Sequence, residues 1–252
     1  NYNVGLMEVT YDLTEVEVVE ANRSSLGMKQ LKYIEVDGLY AAKKNDIVVT
    51  DEMAANISTN NSRQVFSKVA GINVQETDAG GLQMGIGVRG LDPKRTTNFN
   101  TRQDGYDISA DALGYPESYY TPPLEAVEQI ELVRGAASLQ YGTQFGGLLN
   151  FKMKRGSEEK ALEVVSRQTV GSCNYLGSFN SIGGSAGEWN YYGYFQHKQG
   201  SGWRPNTNYI SNGFYAQAGR KLGNKWTVDL AFTHNYYNSQ QAGGLTDRQF
   251  EV

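Results

Sequence analysis

Gly85-Ile86-Gly87-Val88-Arg89-Gly90 satisfies the G-x-G-x-x-G spacing that lets backbone amides approach a pyrophosphate, and Asp107 lies near where an acidic ribose ligand is sought. That fingerprint has to open a helix whose N-terminus receives the phosphates. Here Leu91-Asp92-Pro93 follows, and the residue before a proline is driven away from helix, so a nucleotide-dependent oxidoreductase rests on the glycines alone. Asp104, Asp107 and Asp111 lie close in sequence but lack the glycine-bearing twelve-residue loop of a calcium hand. Cys173 has no second cysteine to pair with, His197 and His234 stand apart beside aromatic residues, and no Ser-His-Asp order occurs. Neither a metal site, nor a cofactor, nor catalysis is expected. What remains is recognition by two polar, aromatic loops rich in turn formers, 91–100 and 113–123. Arg95 and Asn98, with Arg102 just beyond, offer forked and amide donors to an oxygen-rich anion. Tyr115, Glu117, Tyr119 and Tyr120 offer rings and polar tips. For any one of these residues, packing against neighbouring structure is the alternative.

Bulk properties narrow the class. A net charge of −4 and the lack of any basic run argue against nucleic acid as a partner. No apolar stretch approaches the roughly 18 residues of a membrane helix, and mean hydropathy is −0.52. A transmembrane β-barrel remains compatible, because its strands alternate lipid-facing and lumen-facing residues and so stay polar on average. No leader is visible at Asn1-Tyr2-Asn3, which reads as a processed chain or the middle of a longer one.

Three regions must position these residues. Residues 1–20 hold two extended runs, Gly5 to Tyr11 and Thr14 to Glu20. Residues 21–156 mix short elements: strands at Lys32 to Val36 and Asp46 to Val49, a helix over Ser62 to Ala70 stopped by Gly71, and a short helix opened by Pro123 and running through Glu128. Ile130, Leu132 and Val133 follow as a buried strand. From 157 to 252 the period becomes two, and all three Trp lie there. Trp226, Val228, Leu230, Phe232 and Tyr236 share one face of a strand; Thr227, Asp229, Thr233 and Asn235 share the other. Five such strands are expected, starting near Lys160, Tyr175, Trp189, Tyr209 and Lys225. If the region before residue 157 ends on the periplasmic side, the short turns at Ser185 to Glu188 and Leu222 to Lys225 are the inner ones. Loops at Gly171 to Asn174, His197 to Asn208 and beyond Asn238 mark the outer end. Five strands cannot close in lipid, so many more are expected in the intact protein, up to about 22 in large plugged transporters.

Gly71 to Val74, Val88 to Gly90, Asp104-Gly105, Ile130 to Gly135, and Tyr141-Gly142 through Gly146-Gly147 to Asn150 follow one another in the order of the plug of TonB-dependent outer-membrane receptors. The chain resembles that family strongly over residues 62–156 and by strand pattern afterwards. The Arg89 to Pro93 stretch is most similar to the ferric citrate group. The resemblance implies a mixed α/β plug inside a transmembrane antiparallel β-barrel, of which this chain holds about five strands.

For function it implies active import of an iron chelate across the outer membrane of a Gram-negative bacterium, with outer-membrane lipid around the barrel and a TonB-type energy-transducing protein as partner. The plug loops carrying Arg95, Asn98, Arg102, Tyr115, Glu117, Tyr119 and Tyr120 would floor the pocket. Arg89 and Arg134 would lock the plug to barrel-wall glutamates in strands beyond this chain. Glu15, Val16, Glu17, Val18 and Val19 resemble a TonB box, which pairs by strand addition; the same run also reads as the last strand of an upstream accessory domain. Haem, cobalamin, peptide and glycan stay open as cargo, as does a receptor that senses or docks without transport.

Overall fold

The computed structural model describes residues 27–32, 34–35, 38–40, 45–53, 55–59, 61–66, 69–76, 78–93, 99–109, 120–142, 146–223, 225–243 and 246–247. The extended runs at 1–20 lie outside them. Ten short strands build the first half: β1 Met28–Gln30, β2 Ile34–Glu35, β3 Gly38–Leu39, β4 Asp46–Val49, β5 Ile72–Glu76, β6 Met84–Val88, β7 Phe99–Gln103, β8 Tyr106–Asp107, β9 Val127–Val133 and β10 Gly147–Met153. Six of them form one sheet in the order β1-β4-β9-β10-β7-β8, in which only β10 and β7 run parallel. Its centre is fully buried: Ile130, Leu132, Leu149 and Phe151 are at most 1% exposed. Of the strand expected over Lys32 to Val36, the described residues Ile34–Glu35 pair with Gly38–Leu39, while Lys32 lies outside a strand.

Helix α1, Ser62–Phe66, buries Val65 and Phe66, and Val69 beyond it enters the same core; Gly71 then turns the chain at φ +79°. The helix expected from Pro123 to Glu128 is a single 3-10 turn, Leu124–Ala126, after which β9 takes over at Val127. The reason is tertiary. Val127 pairs with Met153 in the ladder with β10, and burial of a β-branched run outweighs one helical turn.

Five long strands follow: β11 Glu163–Gly171, β12 Tyr175–Ala186, β13 Trp189–Gly200, β14 Tyr209–Leu222 and β15 Trp226–Ser239, all antiparallel to their neighbours in chain order. β13 runs on to Gly200, so the loop expected from His197 is Ser201 to Asn208. No described helix is long and apolar enough to cross a membrane, which says nothing of strands. The two faces of this sheet differ. One carries Val164, Ile182, Trp189, Phe195, Phe214, Trp226, Val228, Leu230 and Phe232, all exposed. The other carries Phe179, Tyr192, Tyr194 and Tyr215, which are buried in one core with β9 and β10 of the first body. Polar residues interrupt the apolar face toward the 171–174 turn: Ser166, Gln168, Ser178 and Asn180 hydrogen-bond to one another across β11 and β12, and His197 meets Asn212 across β13 and β14 at 2.8 Å.

Candidate functional site

The mixed sheet sits on the inner face of the long-stranded sheet, and the seam between them is aromatic. Phe179 stacks on Tyr194 at 5.6 Å and Tyr194 on Tyr215 at 5.8 Å, a ladder running from β12 to β14. Polar contacts cross it. The Tyr120 hydroxyl lies 3.3 Å from that of Tyr194, Tyr215 donates to Asp104 at 3.4 Å, and Gln103 donates to Thr233 at 3.1 Å. Glu125 is 4% exposed and meets Arg167 of β11 at 3.9 Å. Burial pushes the Glu125 carboxyl up to about 7, against the pull of Arg167.

At the end of the wall bearing the 171–174 turn and the 201–208 loop, two turns of the mixed body meet the wall. The Tyr175 hydroxyl donates to the Ser58 carbonyl at 2.8 Å. Lys198, 1% exposed, donates from Nζ to the carbonyls of Gly80 at 2.8 Å and Thr59 at 3.2 Å. The loop is tied to the turn by the Ser201 amide on the Cys173 carbonyl at 2.8 Å, and the Thr207 hydroxyl closes it onto the carbonyls of Arg204, at 2.5 Å, and Ser201. Trp203 stands 79% exposed with the Arg204 guanidinium over its ring. A cleft of about 280 Å³ opens here, lined among others by Thr59, Asn61, Glu76 and Trp203. Among the described residues the lining joins the rings of Trp203, Tyr175 and Tyr209 to hydroxyl and amide groups, and its one charged side chain is Glu76.

Arg95, Asn98, Tyr115, Glu117, Tyr119 and the run Glu15 to Val19 lie outside the described residues. The guanidinium of Arg102 is engaged within its own body: Nε donates to Asn100 at 2.8 Å, Nη1 to the Gly105 carbonyl at 2.7 Å and Nη2 to the Tyr141 carbonyl at 2.8 Å. It thereby braces the Asp104-Gly105 turn, and Tyr120 faces the seam rather than the cleft. Arg89 and Arg134 come together at one end of the body. Arg89 has φ +57° and bonds through its amide to Gly71; Arg134 donates to the neighbouring Ala70 carbonyl and pairs with Asp46 at 3.0 Å. Burial lowers the affinity of Arg134 for its proton and Asp46 opposes that. Lys198 escaped the sequence reading. Period two places it with Asn190, Tyr192 and Gln196 on the inner face, but a lysine there reads as a solvated lumen residue.

The glycines of the G-x-G-x-x-G run have a packing role. A Cβ on Gly87 would lie 2.1 Å from the Leu91 carbonyl oxygen, and one on Gly85 2.5 Å from that of Pro93, so the 91–93 segment lies directly on β6. Asn150 is likewise structural: its Oδ1 accepts from the Gly105 amide and its Nδ2 donates to Glu131, both at 2.8 Å.

A small mixed sheet seated on the inner face of an antiparallel sheet whose outer face is apolar is the architecture of a plugged outer-membrane β-barrel. The fold is that of the TonB-dependent receptors of the outer membrane, a plug followed here by five strands of a barrel wall. Residues 40–148 match the TonB-dependent receptor plug domain. The ferrienterobactin receptor of Escherichia coli K12 is 28% identical over 125 residues, which cover 44% of this chain and 16% of that receptor. Among solved structures, the copper transporter OprC superposes with a TM-score of 0.64 at 12% identity, over 87% of this chain and 33% of its own. The siderophore receptor PirA of Pseudomonas aeruginosa superposes with a TM-score of 0.57 at 18% identity, over 77% of this chain and 35% of its own. At such identities the superpositions speak for the fold. The relatives are receptors and transporters rather than enzymes. This chain spans about a third or less of the length of each.

Proposed function

We propose that the receptor to which this chain belongs binds a ferric chelate at its outer mouth and imports it across the outer membrane, powered by a TonB-type partner. The observation that carries this reading is the cleft between plug turns and the 201–208 loop, at the end of the sheet with the longer loops. Both sides of the plug–wall boundary contribute to it, so an occupant there touches plug and wall at once. The names of two relatives, a ferrienterobactin receptor and a siderophore receptor, favour an iron chelate. The copper transporter shares the fold, so the fold leaves the cargo open.

On this reading residues 21–156 are the plug, 157–252 begin the barrel, and 1–20 lead to the partner through Glu15 to Val19. Arg95, Asn98, Tyr115, Glu117 and Tyr119 supply donors and rings to the chelate, while Arg102 and Tyr120 hold the plug in shape beneath it. Arg89 and Arg134 meet wall glutamates from later strands. Ferric citrate is the first cargo to try, on the likeness of Arg89 to Pro93. Deleting residues 14–19 in the intact receptor is expected to leave chelate binding unchanged and abolish uptake of radiolabelled iron. Normal uptake by that deletion defeats the mechanism. Growth of a receptor-null strain on single iron sources identifies the cargo, and unimpaired growth on ferric citrate excludes that one.

A further inference from the structure

We propose that Lys198 is the fixed anchor of the plug: its ammonium clasps the turns at Ser58–Thr59 and 78–83 to the wall, and this part stays docked while other parts of the plug move during transport. The second clause rests on the transport reading above; the first does not. An ammonium at 1% exposure is unfavourable unless ligands replace water. Here its ligands are two carbonyls 21 residues apart, brought to one atom of the wall. The turn presenting the Gly80 carbonyl is rigid for a reason of its own. The buried Asp78 carboxylate accepts the amides of Gly80 at 2.7 Å, Leu82 at 3.0 Å and Gln83 at 2.6 Å, which fixes the peptide planes of the turn. Tyr209 seals the contact from β14, with its ring so close to Gly80 that an added Cβ would meet Cδ2 at 2.8 Å.

Moving either turn away strips the ammonium of carbonyls in a place water does not reach. Other crossings of the seam are softer. Arg155 and Asp229 pair in the open, with Arg155 56% exposed, and Arg167 is 45% exposed where it meets Glu125. Displacement of the plug is therefore resisted most at the clasp and least along the exposed Arg155–Asp229 pair.

The test uses the full-length receptor. In Lys198→Met, amide exchange followed by mass spectrometry is expected to quicken at least about tenfold at Gly80, Leu82 and Gln83, the loss of one charge-assisted bond, with β9 and β10 unchanged. Unchanged exchange at the three amides overturns the anchor, and needs no cargo to do so. The second arm keeps Lys198. A cysteine pair, Gly80→Cys with Tyr209→Cys in a Cys173→Ser background, brings two Cβ atoms within reach of a disulfide, since a Cβ on Gly80 lies 3.1 Å from Tyr209 Cγ. Uptake by the oxidised and reduced forms of this variant is expected to be equal. Loss of uptake on oxidation with recovery on reduction overturns the claim that the clasp stays shut. Absence of iron uptake by the unmodified receptor tells against the transport reading instead and leaves the exchange result standing.

Discussion

Single side chains in this plug are read through what surrounds them, and Glu125 shows it best. It is buried at the seam with its carboxyl raised to about 7 from an ordinary 4.5, chiefly by desolvation. A carboxyl raised in the folded state binds more protons there than in the unfolded chain between those two values. Stability of the seam is therefore greatest at and below about pH 4.5 and declines as pH rises through 7. We expect the unfolding temperature of the plug in the intact receptor, followed by calorimetry from pH 4.5 to 7.5, to fall across that window. Glu125→Gln should flatten the profile, because an amide fills the same space without titrating. An equally sloped profile in the variant would place the titrating group elsewhere. Residue roles of this kind were not legible beforehand: Glu125 follows Pro122-Pro123-Leu124 like any first-turn acid, and only the register of β11 brings Arg167 to it. Arg134, by contrast, stood out as a lock, yet its described charge partner is Asp46 of the plug itself.

At the scale of elements, legibility followed the period of the pattern. The five long strands were expected from alternation alone, and their starts fall within three residues of the expected ones, because one apolar face over nine or more residues fixes both type and register. Short plug strands gave weaker signals. β7 lies parallel to β10, a pairing set by the whole sheet that no local sequence announces. The glycine run sits between these cases. Gly85 and Gly87 are needed because the 91–93 segment crosses β6, whereas a Cβ on Gly90 would meet nothing and faces only the strain of φ +81°. Gly87→Ala is accordingly expected to destabilise the plug by about 3 kcal/mol, since backbone must move, and Gly90→Ala by about 1 kcal/mol. Denaturant titration of both variants in the full-length receptor checks the order. Equal effects would mean that the 91–93 crossing yields easily.

For the molecule as a whole, the decisive feature is the pair of open edges. Among the described residues β11 pairs with β12 alone and β15 with β14 alone, so each presents a row of amides and carbonyls along 9 and 14 residues respectively. Within hydrocarbon such groups cost several kcal/mol each when unpaired, and no loop or helix of the described residues covers them. The outer face argues that hydrocarbon is where the sheet belongs, since Leu230 is 72% and Phe232 60% exposed beside an edge that water would also attack. Neither solvent suits the sheet with its edges open, so the wall is stable only as an arc of a larger ring, in keeping with relatives about three or more times longer. A polypeptide of these 252 residues alone, offered to outer-membrane-lipid vesicles, is expected to give no protease-resistant, heat-modifiable species. The full-length receptor offered in parallel should give one. Stable insertion of the short chain as a monomer would show that five strands satisfy their own edges, and would remove the physical ground for placing them in a barrel.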